Sequence, residues 1–265
     1  MSQLCNAAEM SRQAYYKWKN RLTLWDQIET VLLKLVRAIR KLMPELGGRK
    51  ILHELGKLFP FGRDRFFAWL KRHGLLATRK RRFPATTYSK HILKKYRNLI
   101  RDFKATAAGQ VVVSDITYIA LEEGKFAYAA LVTDAFSRKI VGYHLSLDLS
   151  VSGPLKALRM ALRSVPDPTG LIHHSDRGVQ YCSKQYIDEL KRHGVSISMT
   201  ERQHCAENAM AERVNGILKH EFGLKNRFRT IAAARQALHQ SVWIYNNLRP
   251  HLSLNYAKPA QVHDA

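Results

Sequence analysis

The sequence predicts an α/β protein: a five-stranded mixed sheet flanked by helices, preceded by a basic, helical, helix-turn-helix-like region. Three observations carry this expectation. Before Gly109 the apolar residues recur at helical spacing, and after it they gather into β-branched runs. The charge changes at the same place. Residues 1–108 hold 25 Lys and Arg against 7 Asp and Glu, whereas residues 109–265 hold 19 against 14. Beyond Gly109 the elements then read as three strands, helix, strand, helix, strand, helix.

In the first part, Ile28, Val31, Leu32, Leu35, Val36 and Ile39 predict one apolar helix face, with Lys34, Arg37, Arg40 and Lys41 filling the other and Pro44 ending the helix. Residues 49–55 and 63–73 predict two short helices about the turn Phe59-Pro60-Phe61-Gly62, an arrangement compatible with a helix-turn-helix. Within the second, Phe66, Phe67 and Trp69 belong to a core, while Arg63, Arg65, Lys71 and Arg72 face outward. Arg63 and Arg65 are DNA-binding candidates. No sustained heptad pattern is read. Residues 76–108 read as a basic linker. Its run Arg79-Lys80-Arg81-Arg82 cannot enter a core, and pairing with phosphates is preferred over simple solvation. The expected divisions are therefore 1–75, 76–108 and 109–265.

In the second part, residues 110–120, 126–133 and 138–147 predict an antiparallel meander. A helix over 154–165 follows, with Leu155, Leu158, Met160, Ala161 and Leu162 on its apolar face. Next come a strand at 171–173, a helix at 184–193, a strand at 195–199 and long helices at 207–222 and 231–247. Ribonuclease H has this element order.

Composition narrows the function. At 265 residues, 46% hydrophobic and 25% charged, the chain is of ordinary globular make-up. No stretch approaches the roughly 20 apolar residues that span a bilayer, so no membrane span is expected. Three dispersed cysteines, Cys5, Cys182 and Cys205, suit neither a disulfide framework nor a zinc cluster. A net charge of +23 calls for a polyanionic partner. DNA is favoured over an acidic membrane surface, because no long basic amphipathic helix with aromatic anchors is read.

Three acids stand out. Asp115 interrupts the apolar run 111–119, where an ionised carboxylate needs a partner or a metal. Asp176 directly follows a short strand, at the kind of sheet edge where ligand sites form. Glu212 lies on a helical strip with Asn208, Asn215 and Lys219, separate from the apolar face of Met210, Val214, Ile217 and Leu218. Such a strip is either a solvated face or a surface for an ion and a phosphate. Carboxylates of this kind suit two-metal phosphoryl chemistry, although composition does not make them converge.

The strings Asp115-Ile-Thr-Tyr118, Asp134-Ala-Phe-Ser-Arg-Lys-Ile-Val-Gly-Tyr143 and His174-Ser-Asp-Arg-Gly-Val-Gln-Tyr181 resemble the core of integrase-type transposases. So do Glu207-Asn-Ala-Met-Ala-Glu212, Leu218-Lys-His-Glu-Phe222 and Tyr245-Asn-Asn-Leu-Arg-Pro-His251, with 35 residues between Asp176 and Glu212. The chain is similar to the downstream-frame product of the insertion-sequence-three family over nearly its whole length. The resemblance implies a ribonuclease-H-like fold and DNA cleavage with strand transfer through a 3′-hydroxyl. It implies two Mg²⁺ ions, with Mn²⁺ substituting, held by Asp115, Asp176 and Glu212, and terminal DNA bound by Lys219. Asn208 and Asn215, on the same strip, are also expected to serve DNA binding. The partners it implies are double-stranded element ends and target DNA, further copies of the chain on that DNA, and an upstream-frame protein or fusion, in a bacterial cytoplasm at the nucleoid. His173 and His174 are expected to support the site without ligating metal. Two other readings stand beside this one: a non-catalytic DNA-binding regulator of the same fold, and a metal-dependent nuclease that hydrolyses without joining.

Overall fold

The computed structural model describes residues 9–77, 92–201 and 208–265, together with Cys5 and Ala7. The chain divides into two compact units, residues 1–78 and 79–265. In the first, α1 (Arg12–Leu42) is capped by Ser11, whose hydroxyl accepts from the Ala14 amide. It is followed by α2 (Gly48–Leu55) and α3 (Arg63–Arg72). The helix begins well before the expected stretch around Ile28. The connection between α2 and α3 is also longer than the predicted four-residue turn, because Gly56–Leu58 forms a 3₁₀ turn ahead of it. Leu32, Val36, Leu46, Ile51, Leu55, Phe66, Trp69 and Leu70 make the buried core of this unit. Phe67 is only half-buried.

Two expectations for α1 need correction. Arg40 does not sit on a solvated face; it donates to the carbonyls of Pro44, Leu46 and Leu75, tying the end of α1 to the end of the unit. The single apolar face is really two. Leu32 and Val36 point into the core, whereas Val31 and Leu35 are exposed.

The second unit is built on β1 (Val111–Ala120), β2 (Phe126–Asp134), β3 (Ile140–Ser146), β4 (Ile172–Ser175) and β5 (Ser196–Met199). They lie in the order β3-β2-β1-β4-β5, antiparallel within the β1–β3 meander and parallel across β1, β4 and β5. The helices are α4 (Ser152–Arg163), α5 (Val179–Cys182), α6 (Lys184–Arg192), α7 (Ala209–Glu221), α8 (Ile231–Asn247) and α9 (Pro259–His263). Val112, Ala130, Val132 and Val141 pack one sheet face on α4 and α6, while Ile119, Ala129, Leu131 and Leu145 pack the other on α7 and α8. Gly142 lets α4 come close to β3, since a Cβ there would run into the carbonyl of Ala157. Met160, placed on the apolar face by its spacing, is exposed.

Residues 92–101, expected to be linker, lie against this unit. Leu93 and Tyr96 pack on its core, and the amides of Asn98 and Leu99 donate to Glu201 and Ser198. The run Arg79-Lys80-Arg81-Arg82, together with Cys205 and Glu207, lies outside the described residues. No described helix is long and apolar enough to cross a membrane.

Candidate active site

Pairing of β1 with β4 assembles the site. The two strands run parallel with Ser114 opposite Ser175, so the next residue on each strand's path, Asp115 and Asp176, leaves the pair at the same edge. Strand alternation then assigns the faces. Ser114 points to the α6 side, where its hydroxyl lies 2.8 Å from Nε2 of His173, and Tyr186 Oη lies 3.0 Å from the same nitrogen. Asp115 points to the opposite side, toward α7.

On that side the helical strip expected from sequence faces β1. Asn215 donates from Nδ2 to Oδ2 of Asp115 at 2.7 Å, and Asn208 donates to the Ser114 carbonyl at 3.3 Å. Both amides are buried, so they hold the strand and its carboxylate and do not lie on an open DNA-facing surface. Glu212, in the first turn of α7, is exposed. Lys219 is half-buried two turns further on; burial lowers its pKa while the charge of Asp115 raises it. Asp176 is held at its turn by the Gly178 amide, which donates to Oδ1 at 2.9 Å, and a Cβ on Gly178 would press on that same oxygen.

The ionisation of Asp115 responds to both other acids. Burial, then the charge of Asp176, then that of Glu212 push the Asp115 carboxyl up to about 7, against the hydrogen bonds from the Ile116 amide and Asn215 that favour ionisation. Tyr181 is a neighbour that sequence reasoning did not single out. Its hydroxyl is buried without a hydrogen-bond partner, and burial, Tyr186, Asp115 and Asp176 all oppose its ionisation. Its only signal in the sequence was its place in the string 174–181.

His173 and His174 support the strands. Burial and the neighbouring His174 drive the His173 pKa down to about 3, so it stays neutral, and His174 Nδ1 lies 2.8 Å from Ser198 Oγ on β5. Cys182 is buried beside Met199, a packing residue. Asp134 is a turn residue with its own work: it accepts from the amides of Gly109, Phe136 and Ser137. Burial alone would raise its pKa, but these bonds and His263 bring it below the usual range. Arg63 and Arg65 are exposed on α3, the former beside Asp64 and the latter over the Phe61 ring.

The donors fit a hard divalent cation. The acids offer carboxylate oxygens, and Oδ1 of Asn208 and of Asn215 is buried without a hydrogen-bond partner. Among the described residues no three His, Cys, Asp or Glu side chains are gathered closely enough to hold a metal ion, so the fit is one of donor type.

Comparison with known proteins places this arrangement. Residues 105–205 match the Integrase core domain family rve, and residues 193–259 match a second Integrase core domain family, rve_3. The chain is 34% identical to the insertion element IS600 uncharacterized 31 kDa protein of Shigella sonnei, over 97% of this chain and 96% of that one. It is 33% identical to the transposase InsF for insertion sequence IS3A of Escherichia coli K12, over 82% of this chain and 77% of that one. The fold is shared with a chain of the simian T-cell lymphotropic virus intasome, at a TM-score of 0.52 and 17% identity, over 68% of this chain and 61% of that chain. An integrase core on a ribonuclease-H-like sheet, with relatives of this identity across most of its length, makes the chain a member of the insertion-sequence-three (IS3) family of DNA transposases.

Proposed function

We propose that Asp115, Asp176 and Glu212 are the catalytic acids of a DNA transposase that cleaves insertion-sequence ends and joins them to target DNA through a 3′-hydroxyl. The observation that carries this reading is the Ser114–Ser175 register, which sets Asp115 beside Asp176 while both Asp176 and Glu212 raise the Asp115 pKa. The acids would hold two divalent ions, Mg²⁺ or Mn²⁺. Bound there, the ions would activate the attacking oxygen and stabilise the leaving one. Asn215 aims Asp115 from α7, and the Asx turn at Gly178 aims Asp176. Lys219, on the same strip, would engage the phosphates of the terminal DNA. Arg63, Arg65 and the run Arg79-Lys80-Arg81-Arg82 would add contacts that do not depend on sequence. The enzyme would act as a homo-oligomer on double-stranded DNA, with an upstream-frame protein or fusion as a further partner.

The test is to incubate the purified protein with labelled terminal-repeat duplex, target DNA and Mg²⁺. Joined products are expected. No joining, with the correct termini and any upstream-frame protein supplied, would leave a DNA-binding regulator as the better reading, and cleavage without joining would leave a nuclease.

A further inference from the structure

The first unit holds a cavity of about 570 Å³ between the first half of α1 and α3 with the turn that precedes it. Its floor belongs to the fold. Phe59 and Trp69 are buried, and Trp25 meets Phe59 and Phe61 edge-on at centroid distances of 6.3 and 4.9 Å. Two of its rings keep open surface: Trp18 on α1 is 49% exposed and Phe61, in the turn, 38%. Its rim is cationic, with Arg21 on α1 and Arg65 and Arg72 on α3. Arg72 is committed to Glu29, whose Oε1 also accepts from Trp69 Nε1. Arg65 lies 5.0 Å from the centre of the Phe61 ring. Among the described residues no acid lines the cavity, and none pairs with Arg21 or Arg65.

We infer that this cavity takes one unpaired base of DNA, stacked against Trp18 and Phe61, with the adjoining phosphates held by Arg21 and Arg65. The occupant follows from the lining. Open aromatic faces favour a flat aromatic ring, and stacking on them tolerates any base. Two guanidiniums without acid partners at the mouth favour an anion and repel an organic cation. An aliphatic group would fill the volume and leave the arginines unused. A nucleotide satisfies both parts, and the volume lies in the range of small-ligand pockets. A paired base keeps its faces inside the duplex stack, so the base must be unpaired or flipped out. Charge complementarity extends beyond the rim, since residues 1–78 hold 15 Lys and Arg against 6 Asp and Glu. This inference rests on the reading above that the chain acts on DNA, and adds to it a site for an unpaired nucleotide. It does not depend on the acids.

The experiment titrates the full chain, without divalent metal, against two duplexes that differ at one position. One carries a single bulged adenine, and the other the same bulge with its base removed, so the backbone charge is equal. The wild type is expected to bind the bulged adenine roughly tenfold or more tightly than the abasic bulge. In W18Q/F61Q that ratio should fall to within about twofold. Each preparation is its own reference, so a fraction of unfolded variant cancels from the ratio. R21Q/R65Q should weaken binding of both duplexes and keep the ratio. Equal affinities in the wild type, or an undiminished ratio in W18Q/F61Q, would overturn the base site. Unchanged affinity in R21Q/R65Q would overturn the phosphate assignment. A chain that binds both duplexes alike fails this inference alone, whereas one that binds neither fails the DNA reading with it.

Discussion

Asn215 donates from Nδ2 to Oδ2 of Asp115 across 2.7 Å, fastening α7 to the strand that carries the first acid. The bond favours the ionised carboxylate against its burial. Asn215→Ala should therefore raise the Asp115 pKa further, displace the acid limb of the joining profile to higher pH, and weaken binding of Mg²⁺. A hydrogen bond to a charged group contributes roughly 1.5–3 kcal/mol. Joining rates measured across pH would show the displacement; an unshifted limb would mean that the amide does not set the state of Asp115.

Asp115 should also make metal-free stability fall with pH. Its folded pKa of about 7 lies above the ordinary value of 3.8. Between those two values the unfolded chain releases a proton that the folded chain retains, so stability declines as pH rises through this window and levels off above about 7. The loss is on the order of 2–4 kcal/mol. Asp115→Asn should flatten the decline, and Mg²⁺ should recover part of it in the wild type. Chemical denaturation at a series of pH values, with and without Mg²⁺, measures both; equal slopes in wild type and variant would clear Asp115 of the effect.

Amide substitution of each acid should abolish joining while leaving DNA bound. Asp115→Asn, Asp176→Asn and Glu212→Gln keep shape and remove charge, and their effects should not add if the acids act as one unit, as proposed. Lys219→Ala should instead weaken binding of terminal DNA and keep metal binding. Joining at the wild-type rate by any one acid variant would take that residue out of the site.

Arg249 holds the far end of α7. Its Nε and Nη2 each donate to Glu221 at 2.8 Å, with the guanidinium almost fully buried beside the Tyr245 ring. Removing one partner of a buried pair leaves the other uncompensated. Arg249→Met should cost about 3–5 kcal/mol, and the double variant with Glu221→Met distinctly less. Urea midpoints of the two single variants and the double decide this, and additive losses would exclude a coupled pair.

Neutral replacement of Arg79, Lys80, Arg81 and Arg82 should weaken DNA binding whatever the sequence. For every DNA phosphate that the variant no longer neutralises, the magnitude of the log–log salt slope should fall by roughly 0.9 on duplex DNA. Titration across salt concentrations gives the slope directly, and an unchanged value would identify the run as a solvated linker.

The sheet was legible because β-branched runs and helical spacing report burial locally. The strands expected at 110–120 and 126–133 differ by a residue or so from Val111–Ala120 and Phe126–Asp134. The apolar stripe on α1 was harder to read. Leu32 and Val36 alternate with Val31 and Leu35 so closely in sequence that two neighbouring faces looked like one. The pairing of Arg249 with Glu221 could not be read at all, since the residues meet through the packing of α7 and α8.

By itself the sequence determined the element types, the basic first part, and three acids in an order that resembles a transposase core. These are properties of local composition and spacing. The tertiary structure decided what the acids meet. Parallel pairing of β1 with β4 sets Asp115 beside Asp176, and the packing of α7 on the same sheet face brings Asn215 to Asp115 and Glu212 within reach of its charge. Strand register and helix docking are long-range choices, fixed by which apolar faces bury together, and no single segment encodes them.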